Sequence, residues 1–376
     1  MDIKNLQIIS EAIALDNSIG GFKPEFILPF LKVAVNKFVI LLDSRYGDKA
    51  ERIRLVSSAL DDSENAPPFM ISLEQWAQVY EEAVTFTLGI KKGKLIQPLS
   101  LTQAVIDFYV NGYDEGKTFP SWPGFSEHYR VAKKEMTVVS GIPGHGKSEF
   151  VDAIAIEMAV NYKWKLAVFS PENYPYAIHC EKLLSKMAGK PFHQGPTERM
   201  RKDELAYYMS WIQGHFVFIE PAEDALHLDA VLGLAQKAID EYGVDGIIVD
   251  PWNEIEHNRP DRKSETDYIG ESLMKCRRFA RRQNVAFWIV AHPSKQYKDK
   301  ESGEYSVPSP YDISGSAHWR NKADNCLCVF RNQNDTVTVH IQKIKFKIRG
   351  RLGSVNFFYD KINGRYREME VVKSEI

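Results

Sequence analysis

Residues 141–148 read Gly-Ile-Pro-Gly-His-Gly-Lys-Ser, a glycine followed after four free positions by Gly-Lys-Ser. No other stretch limits the fold so tightly. Such a loop needs a buried strand before it and a helix start after it, because its backbone N–H groups and the positive end of the helix dipole hold one anion between them. Both flanks are present. Residues 136–140 (MTVVS) form a short apolar run, and Phe150, Val151, Ile154, Ala155 and Met158 recur at helical spacing after Lys147. Gly141, Gly144 and Gly146 let the backbone curl, with Pro143, His145 and Glu149 completing the cradle. Lys147 is expected to reach the β and γ phosphates and the Ser148 hydroxyl to ligate Mg²⁺, so the cofactors are ATP, or another NTP, and Mg²⁺.

From residue 136 onward short apolar runs alternate with helical patterns, at 166–169, 216–219, 246–249, 285–290 and 325–330. That alternation predicts an α/β domain with a mostly parallel central sheet. Past residue 330 the pattern turns to strands alone, at 337–349 and 354–359 with a hairpin turn at Asn363-Gly364, which predicts an antiparallel β extension at the C-terminal end. Open sheets of this kind bind ligands at the carboxyl edge of their strands. Asp250 ends the strand 246–249 and suits metal support; Glu172 follows 166–169 and suits water activation; His292 follows 285–290, where a polar group can face the γ-phosphate.

Upstream, residues 1–90 are expected to form a small, mainly helical N-terminal domain, with one candidate strand at 38–43 that ends in Asp43 and is followed by Arg45. No cysteine occurs there, which excludes a zinc-binding module. Residues 91–120 read as a linker carrying a helix at 101–109, started by a capping box between Ser100 and Gln103. An extended loop (TFPSWPGF) then leads to the domain spanning 121–376. Of the four cysteines, Cys180 and Cys276 stand alone and Cys326 and Cys328 share one strand, so buried thiols are expected rather than a metal site. No apolar run approaches the ~20 residues that span a bilayer, and the first residues show neither a signal core nor a transit pattern; no membrane role and a cytoplasmic residence are expected.

A formal charge of −2 gives no global attraction to nucleic acid, so any basic surface must be local. Arg259 and Arg262 lie in the polar loop 253–264, Lys295 opens the loop 295–311, and both loops leave the sheet edge of the nucleotide site. Residues 343–351 alternate basic and nonbasic residues, which on a strand would set Lys343, Lys345, Lys347, Arg349 and Arg351 on one face, either for a polyanion or as a plain exposed face.

The order of phosphate loop, SPEN at 170–173, GIIVDPWNE at 246–254, VAHP at 290–293, YDISGSAHWRNKADN at 311–325 and the KIK strand at 343–345 resembles the ring-forming RecA-type replicative helicases, in particular the Twinkle family and its phage primase-helicase relatives. The resemblance runs from about 99 to 368. It implies a RecA-like P-loop NTPase fold and a homo-oligomeric ring of six that translocates 5′ to 3′ on single-stranded DNA, unwinds duplex and works with other replisome proteins. Carried over by position, it makes Lys147 and Ser148 ligands of nucleotide and Mg²⁺, Glu172 the catalytic base, Asp250 the metal support and His292 the γ-phosphate sensor. It places Ser314, Gly315 and Ser316 against DNA, sets Arg331 and Tyr359 at the nucleotide base, and packs the helix 101–109 on the adjacent subunit. One position departs. Where the family supplies an arginine finger in K-x-R, this chain has Lys343-Ile344-Lys345, and lysine lacks the planar fork that clamps a phosphate. Catalytic charge is then expected from Lys343 and Lys345, or from Arg349 or Arg351. A RecA-type DNA-binding ATPase without unwinding, and an ATP-switch loader or assembly protein, remain open.

Overall fold

The computed structural model describes residues 96–222, 225–257, 259, 263–294, 298, 305–315, 317–332, 334 and 336–369. The candidate N-terminal domain at 1–90, including Asp43 and Arg45, lies outside them. The chain divides into two compact units, Met1–Asp107 and Phe108–Ile376. Of the first, the described part is a 3₁₀ turn, Pro98–Leu101, and the start of a helix, Thr102–Asn111 (α1), that runs across the division and buries none of its residues. The expected capping box is not formed. Pro98 opens the 3₁₀ turn, so Ser100 sits inside it and donates to Gln97 O at 2.7 Å, while the Gln103 amide donates to Asp107 at 2.9 Å.

The second unit is built on one nine-stranded sheet in the order β3-β2-β4-β5-β1-β6-β7-β8-β9. Its strands are Met136–Ser140 (β1), Leu166–Phe169 (β2), Phe216–Phe218 (β3), Gly246–Val249 (β4), Ala286–Val290 (β5), Asn325–Arg331 (β6), Thr336–Ile344 (β7), Gly353–Tyr359 (β8) and Tyr366–Glu368 (β9). From β3 to β6 neighbouring strands are parallel; from β6 to β9 they are antiparallel. β1 lies centrally, between β5 and β6. A strand buried on both faces needs apolar residues throughout, and MTVVS, LAVF, GIIV and AFWIV are buried at every position.

Successive side chains alternate between two cores. Val139, Ile248 and Trp288 face one, with the helices Lys147–Tyr162 (α3), Tyr176–Ala188 (α4) and Lys202–His215 (α5); Val138, Ile247 and Phe287 face the other, with Leu228–Tyr242 (α6) and Glu265–Gln283 (α7). The first core carries an aromatic cluster that fixes the start of α3. Phe150 stacks on Trp122 at 5.6 Å and meets Phe125, Phe357 and Tyr366 at 5.5, 5.4 and 5.1 Å. Burying each such ring contributes about 2–3 kcal/mol.

The segment expected to be an extended loop contains a short helix, Pro123–His128 (α2). Pro123 suits its first turn, and its free N–H groups are capped from far along the chain: Gly124 and Phe125 donate to the Glu368 carboxylate at 2.9 and 3.1 Å. A third expectation also fails. The run 343–351 is not one strand, because β7 ends at Ile344 and Lys347–Arg349 is a 3₁₀ turn. Its cations take separate partners instead of one face: Lys345 pairs with Asp324 at 3.0 Å, Arg349 with Glu135, and Arg351 with Glu127 at 2.5 Å. Among the described residues no helix is long and apolar enough to cross a membrane.

Candidate functional site

The phosphate loop leaves β1 at the carboxyl edge and enters α3. Gly141 takes φ 147°, and a Cβ there would stand 2.2 Å from Val329 O on β6, so only glycine passes this strand. Gly146, at φ 89°, precedes α3, and Tyr366 donates to its carbonyl at 3.3 Å. His145 ties the loop sideways: its Nδ1 accepts from Arg331 N at 3.0 Å, and its ring meets Phe330 at 5.1 Å.

Lys147 is only 4% exposed and donates to Ile142 O at 3.3 Å. Burial lowers its pKa against the pull of Asp250 and Glu172. Ser148 Oγ donates to Asp250 Oδ1 at 3.0 Å. Asp250, 3% exposed, is pushed up to about 7 by burial and by the nearby Asp152, despite the Ser148 hydrogen bond. A hydroxyl set against a carboxylate that resists ionisation is a fitting place for a divalent cation, which would relieve the strain on the charge. Among the described residues no group of three or more His, Cys, Asp or Glu side chains is arranged to hold a metal, so a cation at Ser148 and Asp250 would take its other ligands from water or a bound phosphate. With the glycine cradle, the residues fit an Mg²⁺–nucleotide complex.

Glu172 lies on the 3₁₀ turn Pro171–Asn173 after β2, and His292 follows β5. The structure brings them together, with His292 Nε2 3.9 Å from Glu172 Oε1. Burial, with Lys147 nearby, lowers the His292 pKa and favours the neutral ring. The His292 carbonyl in turn accepts from Ser314 N at 3.3 Å, and Pro293 pairs with Ile313. Ser314 is exposed. Gly315, at φ 87°, receives a hydrogen bond on its carbonyl from Thr266 at 3.2 Å. Arg259 is exposed, whereas Arg262, Lys295 and Ser316 lie outside the described residues.

On the far side of the loop the Arg331 guanidinium lies over the Tyr359 ring at 5.4 Å, and the Tyr359 hydroxyl faces Glu149 at 3.5 Å. Burial, then Glu149, pushes the Tyr359 phenol up. Lys343 and Lys345 sit at the other edge of the unit and are engaged within their own chain. Lys343 donates to the carbonyls of Arg320 and Ala323 at 2.5 and 2.7 Å, closing the short helix His318–Lys322 (α8). Lys345 shares Asp324, which is fully buried, with Arg277.

Sequence reading missed one polar layer beside this site, between α3 and α4. His179 Nε2 meets Asp152 at 2.9 Å, Lys186 pairs with Glu149, and Lys182 lies 3.4 Å from Glu149. The signal was present: Glu149 and Asp152 stand three apart on one helix, and His179, Lys182 and Lys186 at i, i+3 and i+7 on the next.

The family description of the DnaB-like helicase C terminal domain matches residues 129–368. This chain belongs to that family. Over 280 residues, 71% of its length, this DnaB-like chain is 36% identical to a Twinkle homolog protein, chloroplastic/mitochondrial, of Arabidopsis thaliana, and it spans 39% of that protein. The solved structure of a DnaB-like replicative helicase, described with its interactions with primase, superposes with a TM-score of 0.61 at 15% identity, covering 92% of this chain and 77% of the other. A solved ATPase domain is covered over 100% of its length, from 74% of this chain, with a TM-score of 0.60 at 16% identity. At such identities the structural likeness is one of fold. The parallel sheet with antiparallel C-terminal strands is thus the RecA-like fold of DnaB-like domains.

Proposed function

We propose that this chain is the motor of a ring-shaped replicative DNA helicase, a homo-hexamer that hydrolyses ATP or another NTP with Mg²⁺ and moves 5′ to 3′ on single-stranded DNA. The observation that carries the reading is the line from Glu172 through His292 to Ser314: a carboxylate at the phosphate loop, a neutral imidazole 3.9 Å away, and an exposed loop hydrogen-bonded to that histidine's carbonyl. Loss of the γ-phosphate can therefore reposition a loop suited to touching DNA.

In hydrolysis, Glu172 orients water and takes its proton while the water oxygen bonds to the γ-phosphorus and the bond to the β–γ bridging oxygen breaks. Lys147 offsets the charge gathered on the phosphoryl oxygens. Mg²⁺ at Ser148 and Asp250 supplies further charge neutralisation when bound. Arg331 and Tyr359 offer a cation and a ring face to the base. The exposed apolar side chains on α1, among them Val105, Phe108, Tyr109 and Val110, support a role in packing on an adjacent subunit. Charge from a neighbour would come from Lys345 or Lys343 only after release from Asp324 or from the α8 carbonyls.

That engagement favours one second reading, an assembly protein that uses ATP as a switch. ATP turnover with and without single-stranded DNA separates the two: a helicase motor is stimulated by DNA, opens a forked duplex and sediments as a hexamer with nucleotide, while a switch shows little stimulation. Stimulated turnover without strand opening would leave a DNA-binding ATPase. A strictly monomeric chain would end the ring reading. Glu172→Gln is expected to retain nucleotide binding and lower kcat about 10²–10⁴-fold; unchanged turnover would remove Glu172 from the mechanism.

A further inference from the structure

Glu172 is half-exposed, and its carboxylate lies 3.9 Å from the His292 ring and within the electrostatic reach of Lys147, contacts too long to fix the side chain by themselves. Its place is set by the turn beneath it. Ser170 is fully buried and Asn173 is 7% exposed. Asn173 closes the turn on both sides of Glu172, its N–H donating to Ser170 O at 3.1 Å and its Nδ2 to Ser170 Oγ at 2.8 Å. The remaining polar atom of that amide, Oδ1, accepts from Lys182 Nζ at 2.7 Å. The same ammonium lies 3.4 Å from Glu149, the residue after Ser148 in the first turn of α3.

We propose that Lys182 is a positioning residue for Glu172, acting through Asn173 to hold the turn at a fixed distance from the phosphate loop. The inference rests on the reading of Glu172 as the carboxylate that orients water. Lys182 is not required to join α3 to α4, because His179–Asp152 and Lys186–Glu149 already do so on either side of it. What it adds is a charge-assisted bond to the one turn that carries Glu172. Without it the Asn173 oxygen is left unpaired in a buried place, the amide has no reason to keep its nitrogen on Ser170, and the turn loosens. A catalytic group misplaced by about 1 Å loses on the order of 10²-fold in rate, whereas nucleotide binding, set by residues 141–148, is left alone.

The test uses the full chain with ATP and single-stranded DNA. Lys182→Met is expected to lower kcat about 10–100-fold with KM for ATP nearly unchanged and the melting temperature lower by only a few degrees. Asn173→Ala, which spares the Lys182–Glu149 contact, should fall in the same direction, and Lys182→Arg should restore most of the rate. In single-turnover assays, adding Lys182→Met to Glu172→Gln should cost nothing further, since Lys182 acts only through that carboxylate. An unchanged kcat in Lys182→Met, a loss confined to KM, or an additive loss in the double variant would each overturn the positioning role while leaving Glu172 in place. Full turnover in Glu172→Gln alone would overturn the catalytic reading and this inference with it.

Discussion

Replacing Lys147 by alanine is expected to abolish multiple-turnover hydrolysis, with single-turnover rates down at least about 10³-fold and nucleotide affinity weakened. Lys147 is buried, lies near Asp250 and Glu172 and donates to a loop carbonyl within its own chain. An ammonium held in that setting costs stability while the site is empty, because burial disfavours its charge. The placement makes physical sense if the charge is used when a polyphosphate arrives. Lys147→Ala should therefore bind nucleotide poorly yet melt no lower than wild type. Fluorescent-nucleotide titration alongside thermal melting checks both halves, and an active Lys147→Ala protein would remove the phosphate loop from the chemistry.

The largest effect on stability is expected at His179. Asp152 and His179 are nearly inaccessible, and their ion pair lies beside Asp250. For His179, burial pulls the pKa down, but Asp152 outweighs it and the net shift is upward; for Asp152, burial pulls up, but His179 outweighs it and the net shift is downward. The raised histidine contributes stability that is full below its unfolded pKa and is lost as pH rises through its folded one. The depressed carboxylate contributes stability that is present above its unfolded pKa and is lost as pH falls through its folded one. The pair therefore stabilises most between about pH 4 and pH 6.5. His179→Ala leaves a buried carboxylate unpaired and should cost about 3–5 kcal/mol near neutral pH. Asp152 then keeps only the pulls of Lys186 and Lys182, and the deficit should be larger at pH 5, inside the window where the pair contributes most, than at pH 7.5. Urea unfolding at pH 5 and pH 7.5 reads both effects; a loss under about 1 kcal/mol would mean that the pair is a bystander.

Much of the fold was legible because its signals are local. The strands 166–169, 246–249 and 354–359 fall where the apolar runs stop and start, and α6 and α7 follow their helical periodicity. The Gly141–Ser148 spacing identified the loop. The capping box failed locally, because Pro98 opens a 3₁₀ turn over Ser100; the other errors came where a distant group decides. Pro123–His128 is a helix because Glu368 caps it, and the 343–351 run breaks because Asp324, Glu135 and Glu127 each draw one cation away from the row. No window of sequence contains those partners.

By itself, the sequence determined a strand-loop-helix around residues 141–148 and set Asp250, Glu172 and His292 each just after an apolar strand, since apolar runs and their ends are local signals. Only the tertiary structure decided how those groups are held. Hydrogen bonds between α3, α4 and the turn at Glu172 depend on side chains meeting across elements, and the alternation of cores that packs those elements together is set by the whole sheet rather than by any one strand.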